Sequence, residues 1–221
     1  MTKIKAVFFD FDGTLVNSDN FHFNCWNESL KKFNVKLKYH YYLNHLAGIP
    51  TSLNAETLIK KYALSITIKD LSTLKDSITK NKIKKEEIKF MPNALAILQR
   101  FEKEKISMFL VTGSPRVEVD YILKKIEIEK YFKSSITRND VTKSKPAPDP
   151  YLKAILKSNI NPKNIIVFED TPNGVASAKS ANLKCFAIQT NLKLQKKLIN
   201  ADKTFKNFNQ AIEYLENKKL I

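Results

Sequence analysis

Two carboxylates two residues apart, Asp10 and Asp12, directly follow the apolar run Ala6–Phe9. Alternate residues of a strand point to the same face, so a regular strand would hold these carboxylates side by side, where they would repel each other. A metal cation, a shared proton or a turn could offset that repulsion, and Gly13 allows a turn directly afterwards. Because open α/β sheets bind ligands beyond the carboxyl ends of their strands, the pattern indicates a metal-assisted site at a strand end.

Three more polar segments lie at junctions between predicted strands and helices. Thr112-Gly113-Ser114 follows an apolar run, Lys145 lies in a proline-rich segment before a predicted helix, and Glu169-Asp170 follows another apolar run. Alone, each segment is typical of an ordinary turn, loop or helix cap. Because all of them occur at strand–helix junctions, together with Asp10 and Asp12 they indicate one shared site.

The elements that must position these segments alternate between strands and helices. This alternation predicts a doubly wound parallel sheet, an α/β core of the Rossmann-like kind. Ser114 and Thr171 are predicted N-caps, with Pro115 and Pro172 in the first helical turns. The predicted strands are Lys5–Phe9, Ile106–Val111, Ile165–Phe168 and Cys185–Ile188, with a short one near Ser135-Ile136, and the predicted helices are Asn93–Lys105, Pro115–Ile126, Asp149–Asn159 and Pro172–Ala181.

Residues 17–87 interrupt this alternation, because they show helical periodicity and no convincing strand. We therefore expect an all-helical cap domain of residues 17–87, placed over the strand ends of a core domain formed by residues 1–16 and 88–221. The predicted cap helices are Asp19–Phe33, a helix capped by Thr51 or Ser52 that runs to Tyr62, and one or two helices over Ile68–Lys85.

The chain is strongly basic, with 38 Lys and Arg residues against 22 Asp and Glu residues and a formal net charge of +16. Arginine, the residue favoured for planar recognition of phosphates and bases, occurs only at positions 100, 116 and 138, and the lysines are scattered. We therefore expect solvated lysines that attract anionic substrates, and no specific nucleic-acid binding. No apolar run reaches the roughly 18 residues of a membrane helix, so we expect no membrane partner.

The cysteines and the beginning of the sequence bear on the compartment. Cys25 and Cys185 match no metal-binding spacing, and we expect two free thiols in a reducing environment. The segment Met1–Lys5 runs straight into the first predicted strand, with no apolar stretch typical of a secretory signal. We therefore expect a cytoplasmic protein, and for this architecture a monomer.

Phosphoryl transfer is the chemistry that requires such a set of residues. A phosphate monoester is anionic, so a carboxylate nucleophile approaches it only with the help of cations such as Mg²⁺ and lysine. The four motifs, in this order, resemble those of the haloacid dehalogenase superfamily. The resemblance covers essentially the whole chain and is strongest to the branch with a helical cap inserted after the first motif, which includes the β-phosphoglucomutases and sugar-phosphate phosphatases.

The resemblance implies a role for each motif residue. Asp10 matches the nucleophile that becomes an aspartyl-phosphate, and Asp12 matches the general acid and base, which the dehalogenases of the superfamily lack. The implied phosphate-binding residues are Thr112, Gly113, Ser114 and Lys145, and the implied Mg²⁺ ligands are Asp10, the backbone carbonyl of Asp12, and Asp170, with Glu169 as a further ligand or as a holder of the metal's water shell.

The helical segment bears on substrate choice. His22 and Trp26 are four residues apart and share a helix face, which is typical of ordinary packing. The resemblance to the mutases implies instead that these two positions face the sugar. By the resemblance, Gly48 and Thr51 belong to the loop that selects the substrate. The mutases carry a lysine before that glycine and an arginine three residues after it, where this chain has Ala47 and Thr51.

A mutase must hold a second, distal phosphate, and the loss of an arginine fork weakens that grip. Arg116, after the second motif, could partly substitute for it. The resemblance therefore favours a Mg²⁺-dependent phosphatase of a small phosphorylated metabolite, such as a sugar phosphate, over a phosphosugar mutase. A third alternative is a non-catalytic binding module with a basic surface. The retained residues Asp10, Asp12, Lys145 and Asp170 argue against it.

Overall fold

A computed structural model describes residues 3–221, and within this range it contains one sheet of six parallel strands. The strands are β1 (Ala6–Phe9), β2 (Ser107–Val111), β3 (Phe132–Ile136), β4 (Ile165–Glu169), β5 (Lys184–Ile188) and β6 (Lys203–Phe205). Their order is β3-β2-β1-β4-β5-β6, so the chain reverses direction across the sheet between β1 and β4. The structure confirms the predicted doubly wound α/β fold.

The helices belong to two compact units, one of residues Ser18–Lys89 and one of Met1–Asn17 together with Phe90–Ile221. The first unit holds α1 (Asp19–Leu30), α2 (Tyr39–His45), α3 (Thr51–Tyr62) and α4 (Ile68–Lys82), and the second holds α5 (Ala94–Lys103), α6 (Arg116–Lys125), α7 (Asp149–Ser158), α8 (Pro172–Ser180), α9 (Leu192–Gln195) and α10 (Phe208–Asn217). Short 3₁₀ turns cover Lys31–Phe33, Glu129–Tyr131, Arg138–Asp140 and Pro162–Asn164.

Apolar strands with both faces covered hold the core unit together. All four residues of β1 are fully buried, as expected for a central parallel strand. On one face, Phe9 stacks on Phe168 with ring centroids 5.4 Å apart, and Phe208 of α10 meets Phe168 edge-on at 5.4 Å. On the other face, Phe8 packs in a cluster that includes Tyr151 of α7. This rigid sheet fixes the positions of the residues that follow its strands.

Two predicted helix starts need correction. Pro115, and not Ser114, is the N-cap residue of α6, since the Ser114 hydroxyl donates instead to Asp12. Thr51 is the first residue of α3, and neither it nor Ser52 caps the helix, because Pro50 occupies the N-cap position. The Thr171 cap of α8 is confirmed, with its hydroxyl accepting a hydrogen bond from the Gly174 N–H at 3.2 Å.

The helical unit has its own core around Trp26, which is 2% exposed and packs with Leu30, Leu58 and Leu71. Its last helix, α4, is a single helix over part of the predicted range Ile68–Lys85. Cys25 of this unit is buried with a free thiol, and so is Cys185 of the core unit. Among the described residues, no helix combines the length and the apolar character that a membrane crossing requires.

Candidate active site

Three of the four predicted segments follow strands that end at the carboxyl edge of the core sheet. Asp10 follows β1, Thr112 follows β2, and Glu169 ends β4 directly before Asp170. The Asp10 N–H donates to the Phe168 carbonyl at 2.9 Å, so the backbone of Asp10 is fixed to the neighbouring strand. The parallel register therefore places polar side chains from three adjacent strands at one edge.

Lys145 connects these strand ends. Its ammonium donates to Asp10 Oδ1 at 2.7 Å, to Glu169 Oε1 at 2.5 Å and to the Val111 carbonyl at 2.7 Å. The segment after it is anchored to α8, because the Ser177 hydroxyl donates to the Ala147 carbonyl at 2.6 Å. Lys145 is only 8% exposed, so its three bonds hold the side chain in one orientation.

Burial and charge shape the ionisation of this group. Burial, followed by the neighbouring Glu169 carboxylate, raises the pKa of Asp10 to about 8, although Lys145 acts in the opposite direction. Burial would lower the pKa of Lys145, but the carboxylates of Asp10 and Glu169 outweigh it and raise that pKa. When Asp10 is ionised, one ammonium faces two carboxylates, and the resulting excess of negative charge favours the uptake of a proton or of a cation.

A divalent cation fits this excess. Carboxylate oxygens of Asp10, Glu169 and Asp170 lie within 4.8 Å of one another, and hard divalent cations prefer such oxygen donors. Asp170 is only partly buried, and its Oδ1 accepts a hydrogen bond from the Thr14 hydroxyl at 3.3 Å. The donor set and its uncompensated charge are those of a divalent metal site.

Two glycines make room for these carboxylates. A Cβ added to Gly13, whose φ is +80°, would lie 2.2 Å from Asp170 Oδ2. A Cβ added to Gly174 in α8 would lie 1.9 Å from Glu169 Oε2. Contacts this short do not occur in proteins, so both glycines are needed for the observed carboxylate positions.

Asp12 has partners that differ from those of Asp10. Its Oδ2 accepts a hydrogen bond of 2.6 Å from the Ser114 hydroxyl, and its side chain is only partly buried. The Ser114 N–H donates to Thr112 Oγ1 at 3.0 Å, which fixes the turn after β2, while Gly113 is exposed. The two carboxylates that raised the question of mutual repulsion therefore lie in different environments.

The two predicted site residues of the helical unit, His22 and Trp26, lie in different surroundings. Trp26 is part of the apolar core of that unit, as the packing interpretation expects. His22 is partly exposed, and its Nδ1 lies 3.3 Å from the ammonium of Lys75 in α4. Lys75 is 5% exposed, so α1 and α4 together hold its buried ammonium beside the imidazole of His22.

The three remaining predicted residues, Gly48, Thr51 and Arg116, lie in a turn, at a helix start and in a hydrogen-bonded pair. Gly48 is exposed with φ of +68°, a turn conformation that suits glycine. Thr51 is partly buried at the start of α3. The guanidinium of Arg116 donates to the Asp140 carboxylate and, at 3.0 Å, to the Ser135 carbonyl. Both bonds come from Nη2 of the guanidinium, so Arg116 is tied to the turn after β3, and its role as a substitute phosphate ligand stays a prediction.

Sequence reasoning missed three residues of interest. Tyr151 is fully buried, and its hydroxyl donates to Glu169 Oε1 at 2.6 Å. Its position in the sequence did not indicate this contact, since tyrosines commonly pack in cores. Gly174 could have been noticed, because a glycine in the first turn of a helix lowers helix stability and so indicates a close contact. Lys75 carried none, being one of many lysines on a predicted helix.

Comparisons with known proteins show related sequences and a shared fold. A phosphorylated carbohydrates phosphatase from Thermotoga maritima is 27% identical over 184 residues, which are 82% of this chain and 83% of that protein. The fold is similar to that of CbbY from Rhodobacter sphaeroides in complex with phosphate, with a TM-score of 0.82, 21% identity, and coverage of 93% and 95% of the two chains. It is also similar to that of β-phosphoglucomutase from Clostridium difficile, with a TM-score of 0.81, 22% identity, and coverage of 97% and 96%.

The family comparison covers both the core strands and the helical unit. Residues 7–188 match the haloacid dehalogenase-like hydrolase family, a range that spans β1 to β5 and contains all of the predicted site residues. This range is most of the 221-residue chain. The chain therefore belongs to the haloacid dehalogenase-like hydrolase family.

Proposed function

We propose that this hydrolase is a Mg²⁺-dependent phosphatase that releases inorganic phosphate from a small phosphorylated metabolite, such as a sugar phosphate. The observation that carries the proposal is the ammonium of Lys145 held 2.7 Å from Asp10, beside the three carboxylates that suit a divalent cation. The name of the Thermotoga maritima relative supports a phosphorylated carbohydrate as the substrate class.

In the first step, a carboxylate oxygen of Asp10 attacks phosphorus and the bond from phosphorus to the ester oxygen breaks. Asp12 donates a proton to that oxygen, so the alcohol leaves neutral and Asp10 carries the phosphoryl group. Covalent capture divides one difficult displacement into two easier ones. The hydrogen bond from Ser114 orients the Asp12 carboxyl for this proton transfer.

In the second step, the ionised Asp12 accepts a proton from water as the water oxygen attacks phosphorus. The bond from phosphorus to the Asp10 oxygen breaks, which regenerates the carboxylate and releases inorganic phosphate. Asp12 is then protonated again, so the cycle balances without an additional acid. The separate surroundings of Asp10 and Asp12 suit their two roles, because one acts as a nucleophile and the other exchanges a proton.

The surrounding groups bind phosphate and hold the nucleophile. The ammonium of Lys145 screens the negative charge of Asp10 from the incoming phosphate, and the Thr112 hydroxyl and the Gly113 N–H bind phosphate oxygens. The Ser114 N–H already donates to Thr112 Oγ1, so it would have to exchange that acceptor for a phosphate oxygen. Asp10, the Asp12 carbonyl and Asp170 would hold Mg²⁺, with Glu169 beside it. The ion would neutralise charge on the transferring phosphoryl group.

A mutase is the less favoured alternative. The positions at which the mutases carry a lysine and an arginine are Ala47 and Thr51, which bring no positive charge. Arg116 is paired with Asp140, and this carboxylate competes with a distal phosphate for its guanidinium. With weak binding of a second phosphate, a bisphosphate intermediate would leave before it could turn over, which favours hydrolysis.

Product analysis tests the proposal. With Mg²⁺, we expect release of inorganic phosphate from para-nitrophenyl phosphate and from hexose phosphates, and no interconversion of glucose 1-phosphate and glucose 6-phosphate. Asp10→Asn keeps the size of the side chain but removes the nucleophile, and we expect a loss of at least about a thousandfold in kcat. Asp120→Asn, at an exposed carboxylate of α6, is the matched control and leaves kcat within about twofold.

Two outcomes would refute the proposal. Bisphosphate-dependent interconversion of the two glucose phosphates would identify a mutase instead. Equal rates for the wild type and Asp10→Asn would remove Asp10 from the mechanism.

Rapid quenching of Asp12→Asn followed by peptide mass spectrometry provides a direct readout, because this variant should accumulate a phosphoryl group on Asp10.

A further inference from the structure

A cleft of about 700 Å³ opens at the amino-terminal edge of the core sheet, away from the candidate active site. Its floor is aliphatic and comes from the beginnings of β4 and β5 and from both ends of the chain. The floor residues, all largely buried, are Ile4, Ile165, Ile166, Leu183 and Leu220. Such a surface suits the apolar body of a small molecule.

The rim of the cleft is basic. Lys163, Lys179 and Lys184 line it, together with the carboxamide residues Asn161 and Asn182. Lys163 lies in the 3₁₀ turn before β4, Lys179 in the last turn of α8, and Lys184 at the start of β5. Ammonium groups beside an aliphatic floor favour a ligand that is anionic at one end and apolar at the other.

The acidic residue in the lining, Asp202, offsets one of these three charges. Its Oδ2 accepts hydrogen bonds from the Lys179 ammonium and from the Cys185 N–H, both at 2.7 Å. The carboxylate is therefore held by α8 and β5. With three ammonium groups and one carboxylate, the lining retains an excess of positive charge.

We propose that this cleft is a second binding site, for a small organic phosphate or phosphonate with an apolar body. The volume lies within the range of about 300–1,000 Å³ that is typical of small-molecule sites. The ammonium groups supply point charges for the anion, and burial of the apolar body against the floor adds to the affinity.

The cleft differs from the catalytic edge in position and in charge. The strand β4 runs from Ile165 in the cleft floor to Glu169 at the catalytic edge, a separation of about 13 Å for four steps along a strand. At the catalytic edge, carboxylates outnumber the single ammonium of Lys145 and repel an anion unless a metal is bound. The cleft needs no metal, so anion binding in the presence of a chelator separates the two sites.

The probe is 1-naphthylmethylphosphonate, which an enzyme that cleaves phosphate esters does not hydrolyse. We expect titration into ¹⁵N-labelled protein in EDTA to shift the amide signals of Lys163, Asn182, Leu183 and Lys184, with a dissociation constant below about 1 mM. The signals of Thr112 and Ser114 should stay in place. Shifts confined to the catalytic edge, or no saturable shift, would overturn the proposal.

A pair of double variants tests the role of charge. Lys163→Gln with Lys184→Gln removes two charges from the cleft, and we expect about tenfold weaker binding of the phosphonate. Lys124→Gln with Lys133→Gln removes two charges from exposed positions that do not line the cleft, and should change the affinity less than twofold. Equal weakening in both pairs would mean that net charge alone attracts the probe, which refutes a built site.

Protein stability is a separate control. Thermal unfolding of both double variants shows whether they fold. If the cleft pair does not fold, Lys163→Gln alone, at an exposed residue of a 3₁₀ turn, allows the same comparison with Lys133→Gln. A weaker affinity for Lys163→Gln alone would support the cleft, and an unchanged affinity would count against it.

Discussion

Lys145 is the residue on which the electrostatics of the candidate site depend. Its ammonium is shared by Asp10 and Glu169, and all three side chains are removed from water. A buried charge is strongly unfavourable without a partner, so these groups stabilise one another only as a set. The same arrangement that screens the nucleophile therefore also contributes to the folding of the strand ends.

Lys145→Met should consequently destabilise the protein as well as inactivate it. The substitution leaves the carboxylates of Asp10 and Glu169 buried without their ammonium, for which we expect a loss of about 3–5 kcal/mol in the free energy of unfolding. Urea denaturation measures this loss. Lys157→Met, at an exposed lysine of α7, should change it by less than about 0.5 kcal/mol. Similar losses in the two variants would contradict the assigned role of Lys145.

Tyr151 acts on the same group through Glu169. In Tyr151→Phe, the carboxylate of Glu169 keeps Lys145 but loses the hydrogen bond of 2.6 Å, and we expect a loss of about 1–2 kcal/mol in the free energy of unfolding. Because Tyr151 positions Glu169 without touching the substrate, kcat should fall while the KM for para-nitrophenyl phosphate stays within about twofold. A KM that rises while kcat stays constant would show that Tyr151 contacts the substrate instead.

At the scale of elements, the start of α8 approaches the end of β4 so closely that only a hydrogen fits at position 174. The helix is capped by Thr171, and the Glu169 carboxylate lies against its first turn. Positive charge at a helix N-terminus favours a carboxylate there. The strand–helix junction thus positions Glu169 by sterics and by electrostatics together.

Gly174→Ala should test this junction. The added methyl group would overlap the Glu169 carboxylate, so either the side chain or the helix must move, and we expect a loss of more than about 2 kcal/mol in stability. Gly113→Ala is the matched control for stability, because no heavy atom would lie within 4 Å of its Cβ. Chemical denaturation of both variants measures the difference, and equal stabilities would refute the steric argument.

The turn after β3 offers a pH-dependent test. Burial alone would raise the pKa of Asp140, but hydrogen bonds from the Thr137 N–H and hydroxyl, both 2.8 Å, and the charge of Arg116 outweigh it and lower that pKa. A carboxyl whose pKa is lower in the folded state stabilises the protein above its unfolded pKa of about 4. That contribution is lost as the pH falls through the folded pKa.

Asp140→Asn should therefore destabilise the protein at pH 7 and have a smaller effect at pH 3. The measurement is the difference in free energy of unfolding between the wild type and the variant at both pH values. Asp120→Asn, at a more exposed carboxylate 3.7 Å from Arg116, should change stability by less than about 0.5 kcal/mol at either pH. A difference for Asp140→Asn that persists at pH 3 would show that its charge is not responsible.

At the scale of the whole molecule, the central strands were predictable because they are apolar throughout. The run Ala6–Phe9 is fully buried between covered faces, and such strands leave a strong signal in the sequence. The edge strand β6 was not predicted, since its three residues Lys203–Phe205 carry a lysine and a threonine. The helices α2 and α10 were also missed, and α2 is short and rich in tyrosine.

Some residues of the candidate site were also predictable from the sequence, and others were not. Asp10, Asp12, Lys145 and Asp170 were predictable, because each stands at a strand–helix junction in a motif of the family. Tyr151 was not, since its contact with Glu169 joins residues from two elements whose spacing only the folded chain defines. For the same reason, the sequence could not show that Arg116 pairs with Asp140.

Metal binding connects the site to the stability of the whole molecule. A ligand that binds only the folded state stabilises it by RT ln(1 + [L]/Kd), which is about 1.4 kcal/mol at ten times the Kd. For a chain of this size, we expect Mg²⁺ to raise the Tm by about 3–6 °C relative to EDTA.

Asp170→Asn removes one of the three carboxylates of the site and should abolish most of this shift, whereas Asp120→Asn should retain it. Scanning calorimetry with sodium chloride at matched ionic strength separates binding from screening. If Asp170→Asn shows the full wild-type shift, the metal binds elsewhere, and the proposed role of these carboxylates in the chemistry is wrong.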